Sequence, residues 1–468
     1  MAKVVFYSFS QTILFFKEFS KFFEEYKFII PRGNYLYLLE KNEYLYLYDK
    51  FEKYLQKNID FNLKKDNIYK ILEGDKNENY NEGYKSLDKE EQLKLVKTIY
   101  YIYKNFLLEY KPDFVIFPDV ETVDGNILIN ICYELGIEVV YFVHMRQLGK
   151  SFFSNSLYET LPCYFGNYTK KDLDLAKDFI DNFFELSSRN LIHNWNNEKI
   201  DIQLPSLISR TITSIKLLNK EKYFYGEGKT LSYKIRTNLI KYVEIYRNFR
   251  YEKFHKKYFD LKDNKDLEKL PKNFILFALQ VTPESSINSL EPYFIDQLRA
   301  IDLIRLNMPN DFYIVVKEHP SMRGIRDVKF YKELRKKAGV ILVTSEISTK
   351  EVMKKAKLIS TITGTIALES FMMNKPALMF GPTFFSHLVY RYDSFLDFKQ
   401  DLYNMIFNHK PLSKEEKMIE IAKLYNIGYS MILFDPIADP IVMNKNNIKS
   451  YYEAFLNHIK RLKKCNNV

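Results

Sequence analysis

Cysteine is scarce in this chain of 468 residues, which contains only Cys132, Cys163 and Cys465. Their wide separation fits neither the paired spacing of a zinc site nor a disulfide framework. A chain with few thiols and no such framework is typical of a reducing compartment, so the sequence predicts a cytoplasmic protein. Cys132 lies in an apolar, helix-like run and is expected in the core.

Long apolar runs are also missing. Lys17, Glu18 and Lys21 interrupt the apolar stretch near the start of the chain. The sequence therefore predicts neither a cleavable signal nor a run of about 18 apolar residues that could cross a bilayer. We expect a cytoplasmic protein that is free in solution or peripherally attached to the inner face of the cell membrane.

Positive charge dominates the composition. The formal net charge is +11 and the isoelectric point is about 9.0, which favours anionic partners. Nucleic acid is not among the expected partners, because the chain has no helix-turn-helix signature, no zinc-finger spacing and no RNA-binding sheet motif. The anionic partners that remain possible are nucleotides, acidic glycans and anionic lipid surfaces.

The first half of the chain contains a strand–loop–helix–strand pattern. A short apolar strand is predicted over 114–117, a helix over 126–135 and a second strand over 138–143. This order is typical of a βαβ unit in a parallel sheet, where ligands bind at the carboxyl ends of the strands. The candidate side chains at those ends are Asp119, Glu121, Asp124, His144, Arg146 and Lys150.

Each first-half candidate has a functional and a structural interpretation. A carboxylate could deprotonate a hydroxyl or attack a carbon centre, and Asp119 and Glu121 lead for that role. Asp124 precedes Gly125 and could equally form a turn. His144, Arg146 and Lys150 could bind an acidic substrate, or they could simply form a basic loop.

The second half alternates five predicted strands with helices. The strands are predicted over 273–279, 312–317, 340–343, 358–361 and 376–380. At the end of one of them, Lys317 and His319 could contact a phosphate, with Pro320 next in the chain. These residues could also form an ordinary solvated strand end.

A small-residue turn provides the second candidate contact set. Gly364 and Thr365 open a helix whose backbone N–H groups could approach an anion, and Thr365 could cap that helix. Glu369, one turn further on, could accept hydrogen bonds from ribose hydroxyls. Three further candidates follow the first strand of this half: Gln280, Thr282 and Glu284. Weaker candidates are Ser370, His387 and Arg391.

The second half resembles the capsular-polysaccharide synthesis group of glycosyltransferases, which includes bacterial β-Kdo transferases. The resemblance covers about 273–385. It rests on these motifs: FALQVTPES at 277–285, Asp296–Gln297, KEHP at 317–320, TGTIALE at 363–369, Lys375–Pro376 and Gly381. The His319–Pro320 pair is also similar to the dipeptide of bacterial sialyltransferases with two α/β domains. Both groups use CMP-activated ulosonic acids, so the resemblance implies a CMP-Kdo or CMP-nonulosonic acid donor.

Pattern and resemblance together predict an α/β fold with two doubly wound Rossmann-like domains facing a cleft, the GT-B architecture, and a helical insertion. The predicted domains are an acceptor domain at 1–169, a helical connector at 170–263, a nucleotide-sugar domain at 264–435 and a basic helical tail at 436–468. The expected acceptor is a surface glycan or glycoprotein. In the tail, Lys445, Lys449, Lys460, Arg461, Lys463 and Lys464 could contact an anionic membrane.

No Asp-X-Asp triplet follows a strand, and a CMP-sugar has a single phosphate. We therefore expect no metal and no cofactor beyond the donor itself. The alternatives are a UDP- or GDP-sugar transferase, a sugar-nucleotide 2-epimerase, and a non-catalytic component of polysaccharide assembly. Which nucleotide binds, and whether a donor turns over, distinguishes among them.

Overall fold

The structure is a computed structural model that describes residues 2–8, 12–31, 36–55, 88–118, 122–183, 246–282, 284–288, 290–433, 436 and 440–466. These residues form two compact units. The first contains the described residues up to 183 together with 413–466, and the second contains residues 246–412. Each unit is built around its own six-stranded sheet.

The sheet of the first unit has the strand order β3-β2-β1-β4-β5-β6. All neighbouring strands are parallel except β6, which runs antiparallel to β5. The strands are β1 (Lys3–Tyr7), β2 (Glu25–Ile30), β3 (Tyr44–Tyr46), β4 (Phe114–Phe117), β5 (Glu138–Met145) and β6 (Lys150–Ser154). The helices before residue 183 are α1 (Thr12–Ser20), α2 (Leu47–Leu55), α3 (Lys89–Tyr110), α4 (Val123–Leu135) and α5 (Lys170–Asn182).

Local sequence explains where the helices around β4 begin and end. Asp88 accepts from the backbone of Glu90 and Glu91 and forms a capping box that starts α3. Thr122 caps α4, and Gly136 ends it at φ +67°, a conformation that glycine adopts without strain. These signals fix the start of α3 and both ends of α4.

The sheet of the second unit has the order β12-β11-β10-β7-β8-β9, and all its neighbouring strands are parallel. The strands are β7 (Phe274–Ala278), β8 (Tyr313–Lys317), β9 (Val340–Val343), β10 (Leu358–Thr361), β11 (Ala377–Met379) and β12 (Tyr390–Arg391). The helices of this unit are α6 (Ser285–Asn288), α7 (Leu298–Asn307), α8 (Val328–Arg335), α9 (Thr349–Lys355), α10 (Ile366–Met372) and α11 (Phe398–Phe407).

Both sheets follow the strand order of dinucleotide-binding Rossmann folds, 3-2-1-4-5-6 when each unit is counted from its own first strand. The predicted fold class, two doubly wound α/β domains, is confirmed. In such sheets ligands bind at the carboxyl ends of the two strands where the order reverses. Those strands are β1 and β4 in the first unit, and β7 and β10 in the second.

Some predicted elements differ from the structure. Apolar residues at helical spacing over 11–26 predict one helix, but α1 ends at Ser20 and residues 25 and 26 begin strand β2. The segments 35–39 and 44–48 predict strands or a hairpin; Tyr44–Tyr46 do form a strand, which pairs in parallel with β2. Phe-rich segments fit a buried helix face and a buried strand equally well, and this explains the error.

The last two helices, α12 (Lys414–Ile427) and α13 (Lys445–Asn466), cluster with the first unit. Ile448, Tyr451 and Phe455 of α13 are buried in the core of that unit. The described residues 413–433 also belong to the first unit, whereas the sequence placed them in the second α/β domain. Most of the predicted connector, 184–245, lies outside the described residues, so the predicted connector boundaries stay predictions.

Cys132 is fully buried, as expected. Burial and the neighbouring Cys465 raise the pKa of the Cys163 thiol to about 11. Among the helices that the structure describes, none is both long enough and apolar enough to cross a membrane.

Candidate functional site

His319 lies just beyond the end of β8 and caps a short 3-10 helix, Pro320–Met322. Its Nδ1 accepts a hydrogen bond from the backbone N–H of Ser321 at 3.2 Å. Burial lowers the pKa of His319 below its ordinary value, so the ring is neutral near neutral pH. Because Nδ1 accepts, the single ring proton is on Nε2. His319 is therefore a neutral hydrogen-bond donor through Nε2. The next residue, Pro320, is exposed.

Glu318, the residue before His319, is 2% exposed and fully engaged. Its Oε1 accepts from the backbone N–H of His319 at 2.6 Å and from Arg326 Nη2 at 3.1 Å. Its Oε2 accepts from Arg326 Nε at 2.9 Å and from the Tyr331 hydroxyl at 2.6 Å. Both carboxylate oxygens are therefore occupied by protein donors. Glu318 links the end of β8 to Arg326 and Tyr331 and has no oxygen left for a ligand.

Lys317 points to the opposite face of β8 from Glu318, as strand pleating requires. The lysine is 3% exposed, and its Nζ donates to the carbonyl oxygen of Thr344 at 3.3 Å. Burial lowers its pKa to about 8, so the amine is still largely protonated near neutral pH. The predicted phosphate contact stays a prediction, since here the ammonium group is turned toward β9.

Gln280 connects the end of β7 to the end of β10. Its side-chain Oε1 accepts from the backbone N–H of Thr363 at 2.6 Å, and its Nε2 donates to Thr363 Oγ1 at 3.0 Å. The Gln297 side chain holds the backbone of Gln280 by two hydrogen bonds. Gln297 Oε1 accepts from the Gln280 N–H at 2.9 Å, and Gln297 Nε2 donates to the Gln280 carbonyl oxygen at 3.1 Å. Gln297 also donates to Thr282 Oγ1 at 2.9 Å. Glu284, the third candidate of this loop, is half-buried.

The turn at Gly364 has no room for a side chain. A Cβ there would lie 2.6 Å from Thr361 Oγ1. Thr365 is exposed and makes no side-chain capping bond to α10, which corrects the predicted cap. Its backbone is already helical, at φ −61° and ψ −15°, whereas a cap residue has extended backbone.

Glu369, in the first turn of α10, is half-buried. Burial raises the pKa of its carboxyl group, and within the described part of the chain this carboxylate has no hydrogen-bond or ion-pair partner. A buried acid without a partner is a recognised sign of a ligand site. Ser370 instead donates to the carbonyl oxygens of Lys375 and Pro376, so it stabilises the turn after α10.

In the first unit, Asp124 is completely buried. Its Oδ2 accepts from the Tyr7 hydroxyl at 2.6 Å, and Tyr7 also lies 2.9 Å from Thr122 Oγ1. Asp124 therefore joins the end of β1 to the start of α4 and is a structural residue. Asp119 and Glu121 lie outside the described residues, and their catalytic role stays a prediction.

His144 hydrogen-bonds to Ser151 through Nδ1. Ser151 Oγ donates its one proton to the carbonyl oxygen of Met431 at 2.9 Å, so His144 Nδ1 donates to Ser151 Oγ, also at 2.9 Å. Arg146 begins the short 3-10 helix that follows β5, and Lys150 donates to Ser430 Oγ at 2.6 Å.

The remaining weak candidates lie at the β12 edge of the second sheet. His387 belongs to a short 3-10 helix, Ser386–Leu388, and Arg391 lies in β12 itself. β12 is the outermost strand, four strands away from β8. The structure thus brings together the ends of β7, β8 and β10 by hydrogen bonds.

Sequence reasoning missed Arg326 and Tyr331 as members of this group, and it noticed Thr363 and Gln297 only through the family motifs. All four residues are buried. Arg326 also donates to the carbonyl oxygen of Gln280 at 2.7 Å, which connects the end of β8 to that of β7, and Gln280 with Thr363 connects β7 to β10. Their separation along the chain gives no local signal of the contact. Among the described residues, no three His, Cys, Asp or Glu side chains are grouped so that they could hold a metal ion.

The class defined by this geometry is a doubly wound, Rossmann-type α/β fold, with its polar cluster at the strand-order reversal of the second sheet. Residues 215–397 match the family model described as capsule polysaccharide biosynthesis protein. Over 150 residues the chain is 27% identical to the capsule polysaccharide export protein KpsS of Escherichia coli. The match covers 29% of this chain and 38% of that protein, so the chain spans well under half the length of this relative. The similarity to capsule-polysaccharide synthesis proteins, inferred from the motifs, is confirmed.

Two solved structures align with most of the chain at low similarity. The UDP-GlcNAc 2-epimerase of Methanocaldococcus jannaschii has 13% identity and a TM-score of 0.26, with 91% of this chain and 99% of that chain covered. The β-Kdo 2,7 transferase KpsC of Thermosulfurimonas dismutans has 12% identity and a TM-score of 0.32, with 90% and 99% covered. At such TM-scores neither alignment decides between a transferase and an epimerase.

Proposed function

We propose that this chain is a glycosyltransferase that moves a CMP-activated ulosonic acid, Kdo or a sialic-acid-like nonulosonic acid, onto a bacterial surface glycan or glycoprotein. The observation that carries the proposal is the hydrogen bond from the Ser321 N–H to His319 Nδ1 beyond the end of β8, which leaves the ring proton on Nε2. A neutral donor at the carboxyl edge of a Rossmann-type sheet suits the phosphate of a nucleotide sugar. The family match over 215–397 supports the same class of activity.

In the proposed reaction this site stabilises the leaving group, CMP. When the bond between the anomeric carbon and the phosphate oxygen breaks, that oxygen keeps the electron pair and CMP gains negative charge. His319 Nε2–H can donate to that phosphate in the transition state, and the nearby Lys317 ammonium adds positive potential. The ends of β8 and β10 lie two strand spacings apart, about 10 Å, which is enough for a phosphate and a ribose.

Glu369 is the proposed contact to the ribose. Its partnerless, half-buried carboxyl group can accept hydrogen bonds from the two ribose hydroxyls. The missing side chain at Gly364 lets the sugar approach the backbone of the turn. Gln280 and Thr282 complete the proposed donor site, and Glu284 extends it along the same loop.

The first unit supplies the other proposed roles. Asp119 or Glu121 acts as general base on the acceptor hydroxyl or as nucleophile at the anomeric carbon. The burial of Asp124 removes it from this set. His144 and Arg146 are proposed to bind the carboxylate of the sugar or an acidic acceptor. No metal and no cofactor besides the donor is proposed.

Peripheral attachment to an anionic membrane is part of the proposal. The exposed face of α13 presents five lysines, Lys445, Lys449, Lys460, Lys463 and Lys464, and one acid, Glu453. Arg461 does not join them, because its guanidinium group stacks on Tyr164 and hydrogen-bonds to Asn426. Each exposed lysine near an anionic surface contributes about 1 kcal/mol.

A donor-hydrolysis assay tests the proposed function. The purified chain is incubated with CMP-Kdo or CMP-sialic acid, and CMP release is followed without added metal. Release above the uncatalysed rate from either donor is the expected result. Turnover of UDP- or GDP-sugars in place of both CMP donors would contradict the proposed donor class, and no turnover of any donor would point to a non-catalytic role.

A further inference from the structure

The ends of β7, β8 and β10 are connected by one continuous set of buried hydrogen bonds. It runs from His319 through Glu318 to Arg326, from Arg326 to the carbonyl oxygen of Gln280 at 2.7 Å, and from Gln280 to Thr363. Thr363 directly precedes Gly364. The two motifs that the proposed function assigns to the donor are thus linked within the second unit.

Arg326 is the branch point of this set. It is 7% exposed and donates three hydrogen bonds, two to Glu318 and one to the backbone of Gln280. The planar fork of a guanidinium group can satisfy a carboxylate and a carbonyl oxygen at the same time. The point charge of a lysine cannot reproduce both contacts in a fixed geometry.

The network acts on His319 through its backbone. Glu318 Oε1 holds the His319 N–H, and the next turn brings the Ser321 N–H to His319 Nδ1. If the Glu318 carboxylate moves, its hydrogen bond to the His319 N–H is lost, and the turn that brings the Ser321 N–H to the ring is no longer fixed. The ring can then adopt the other tautomer, in which Nε2 no longer donates.

We propose that Arg326 is a positioning residue that holds His319 in its donor tautomer and ties it to the Gly364 turn through Glu318 and Gln280. This inference rests on the proposed function, because it assigns the donor phosphate to His319. A purely structural ion pair would stabilise the fold without controlling the tautomer. Tyr331 donates to the same carboxylate, so its substitution offers a second and milder way to disturb Glu318.

The experiment compares Arg326→Lys and Tyr331→Phe with Arg335→Lys as a matched control. Arg335 makes the same kind of ion pair, with Asp260 at 2.9 Å, but it is half exposed and lies outside the network. The protein has seven histidines, so selective ¹⁵N-histidine labelling with a His319→Gln assignment sample resolves the His319 ring. Two quantities are measured for each variant: the His319 tautomer by long-range ¹H–¹⁵N correlation, and the Kd for CMP.

We expect Arg326→Lys to give a mixture of His319 tautomers and about tenfold weaker CMP binding, the value of one hydrogen bond to a charged group. Tyr331→Phe should shift both quantities in the same direction by less, and Arg335→Lys should match the wild type. If Arg326→Lys fails to fold, Tyr331→Phe alone decides. An unchanged tautomer and an unchanged Kd, with only a lower melting temperature, would overturn the inference.

The two proposals fail separately. If wild-type protein holds the Nε2–H tautomer but binds no CMP, the proposed donor class is wrong, while the tautomer in Arg326→Lys still decides the positioning role. If wild-type protein binds CMP and Arg326→Lys keeps the tautomer, the donor class stands and the positioning role falls.

Discussion

Gln280 and Thr363 exchange two hydrogen bonds across the point where the strand order of the second sheet reverses. The Gln280 side-chain oxygen accepts from the Thr363 backbone at 2.6 Å, and its amide nitrogen donates to the Thr363 hydroxyl at 3.0 Å. The first unit has a counterpart, because Tyr7 at the end of β1 donates to Asp124 at the start of α4. In both units, a polar side chain at the end of the first strand bonds to the segment that follows the fourth, the two strands beside which Rossmann folds bind their ligands.

Replacing His319 tests the leaving-group role directly. His319→Ala removes the donor from the phosphate, and we expect turnover of the CMP-sugar to fall on the order of 10²–10³, as for the loss of one oxyanion donor. The melting temperature should change little, because the ring makes one backbone hydrogen bond. His409→Ala, at a histidine that contacts Tyr390 away from the site, is the control. Near-normal turnover in His319→Ala would exclude this mechanism.

Gly364→Ala tests the packing of the small-residue turn. The new Cβ would lie 2.6 Å from Thr361 Oγ1, so we expect a loss of about 1–3 kcal/mol in the free energy of unfolding. Thr361→Ala removes that oxygen, and the double variant should therefore recover part of the loss. Urea unfolding of the four proteins in this cycle measures the coupling. Strictly additive losses would show that the contact is not the cause.

The three acids of the first unit should separate into two groups. Asp124→Asn disturbs the buried bond from Tyr7, and we expect about 1–3 kcal/mol lower stability. Asp119→Asn and Glu121→Gln should keep the wild-type melting temperature, and one of them should lose CMP-sugar turnover. Calorimetry and the CMP-release assay are run on the same samples. Full activity in both of those variants would remove this loop from the catalytic proposal.

Stability should fall in mild acid because of a buried histidine, His255. Burial and the neighbouring Arg250 lower its pKa from 6.5 to about 4. Between these values the unfolded chain binds a proton that the folded chain does not, so stability decreases as pH falls from about 6.5 toward 4. At about pH 5 the loss is on the order of 1–2 kcal/mol.

His255→Phe provides the matched comparison, since a phenyl ring can keep the contact with Tyr331. Unfolding free energies of wild type and variant are measured in urea at about pH 7 and about pH 5. The variant should lose less stability between the two pH values. Equal losses in both proteins would show that His255 does not contribute to the pH dependence.

Much of the fold could be predicted because buried parallel strands appear as short continuous apolar runs. The strand Phe114–Phe117 and the helix ending at Gly136 follow directly from such signals. Strand β2 could not be recognised, because its first residues, Glu25 to Lys27, are polar or half-exposed and come soon after the Phe-rich α1, which ends at Ser20.

The candidate site was predictable only in part. Residues at the ends of strands, such as His319 and Gln280, can be placed because strand ends share one edge of a sheet. The burial of Asp124 was hidden, since an Asp-Gly pair is typical of turns while here α4 begins at Val123. Arg326 and Tyr331 gave no signal, because their contact with Glu318 depends on how the chain folds back after the 3-10 helix.

The most direct test of the account is a thermal-shift panel with CMP, UDP and GDP on the purified protein in metal-free buffer. A ligand that binds only the folded state raises stability by RT ln(1 + [L]/Kd). We expect CMP to raise the melting temperature, UDP and GDP to leave it unchanged, and His319→Ala to reduce the CMP shift. Stabilisation by UDP or GDP but not by CMP would contradict the proposed CMP-sugar donor.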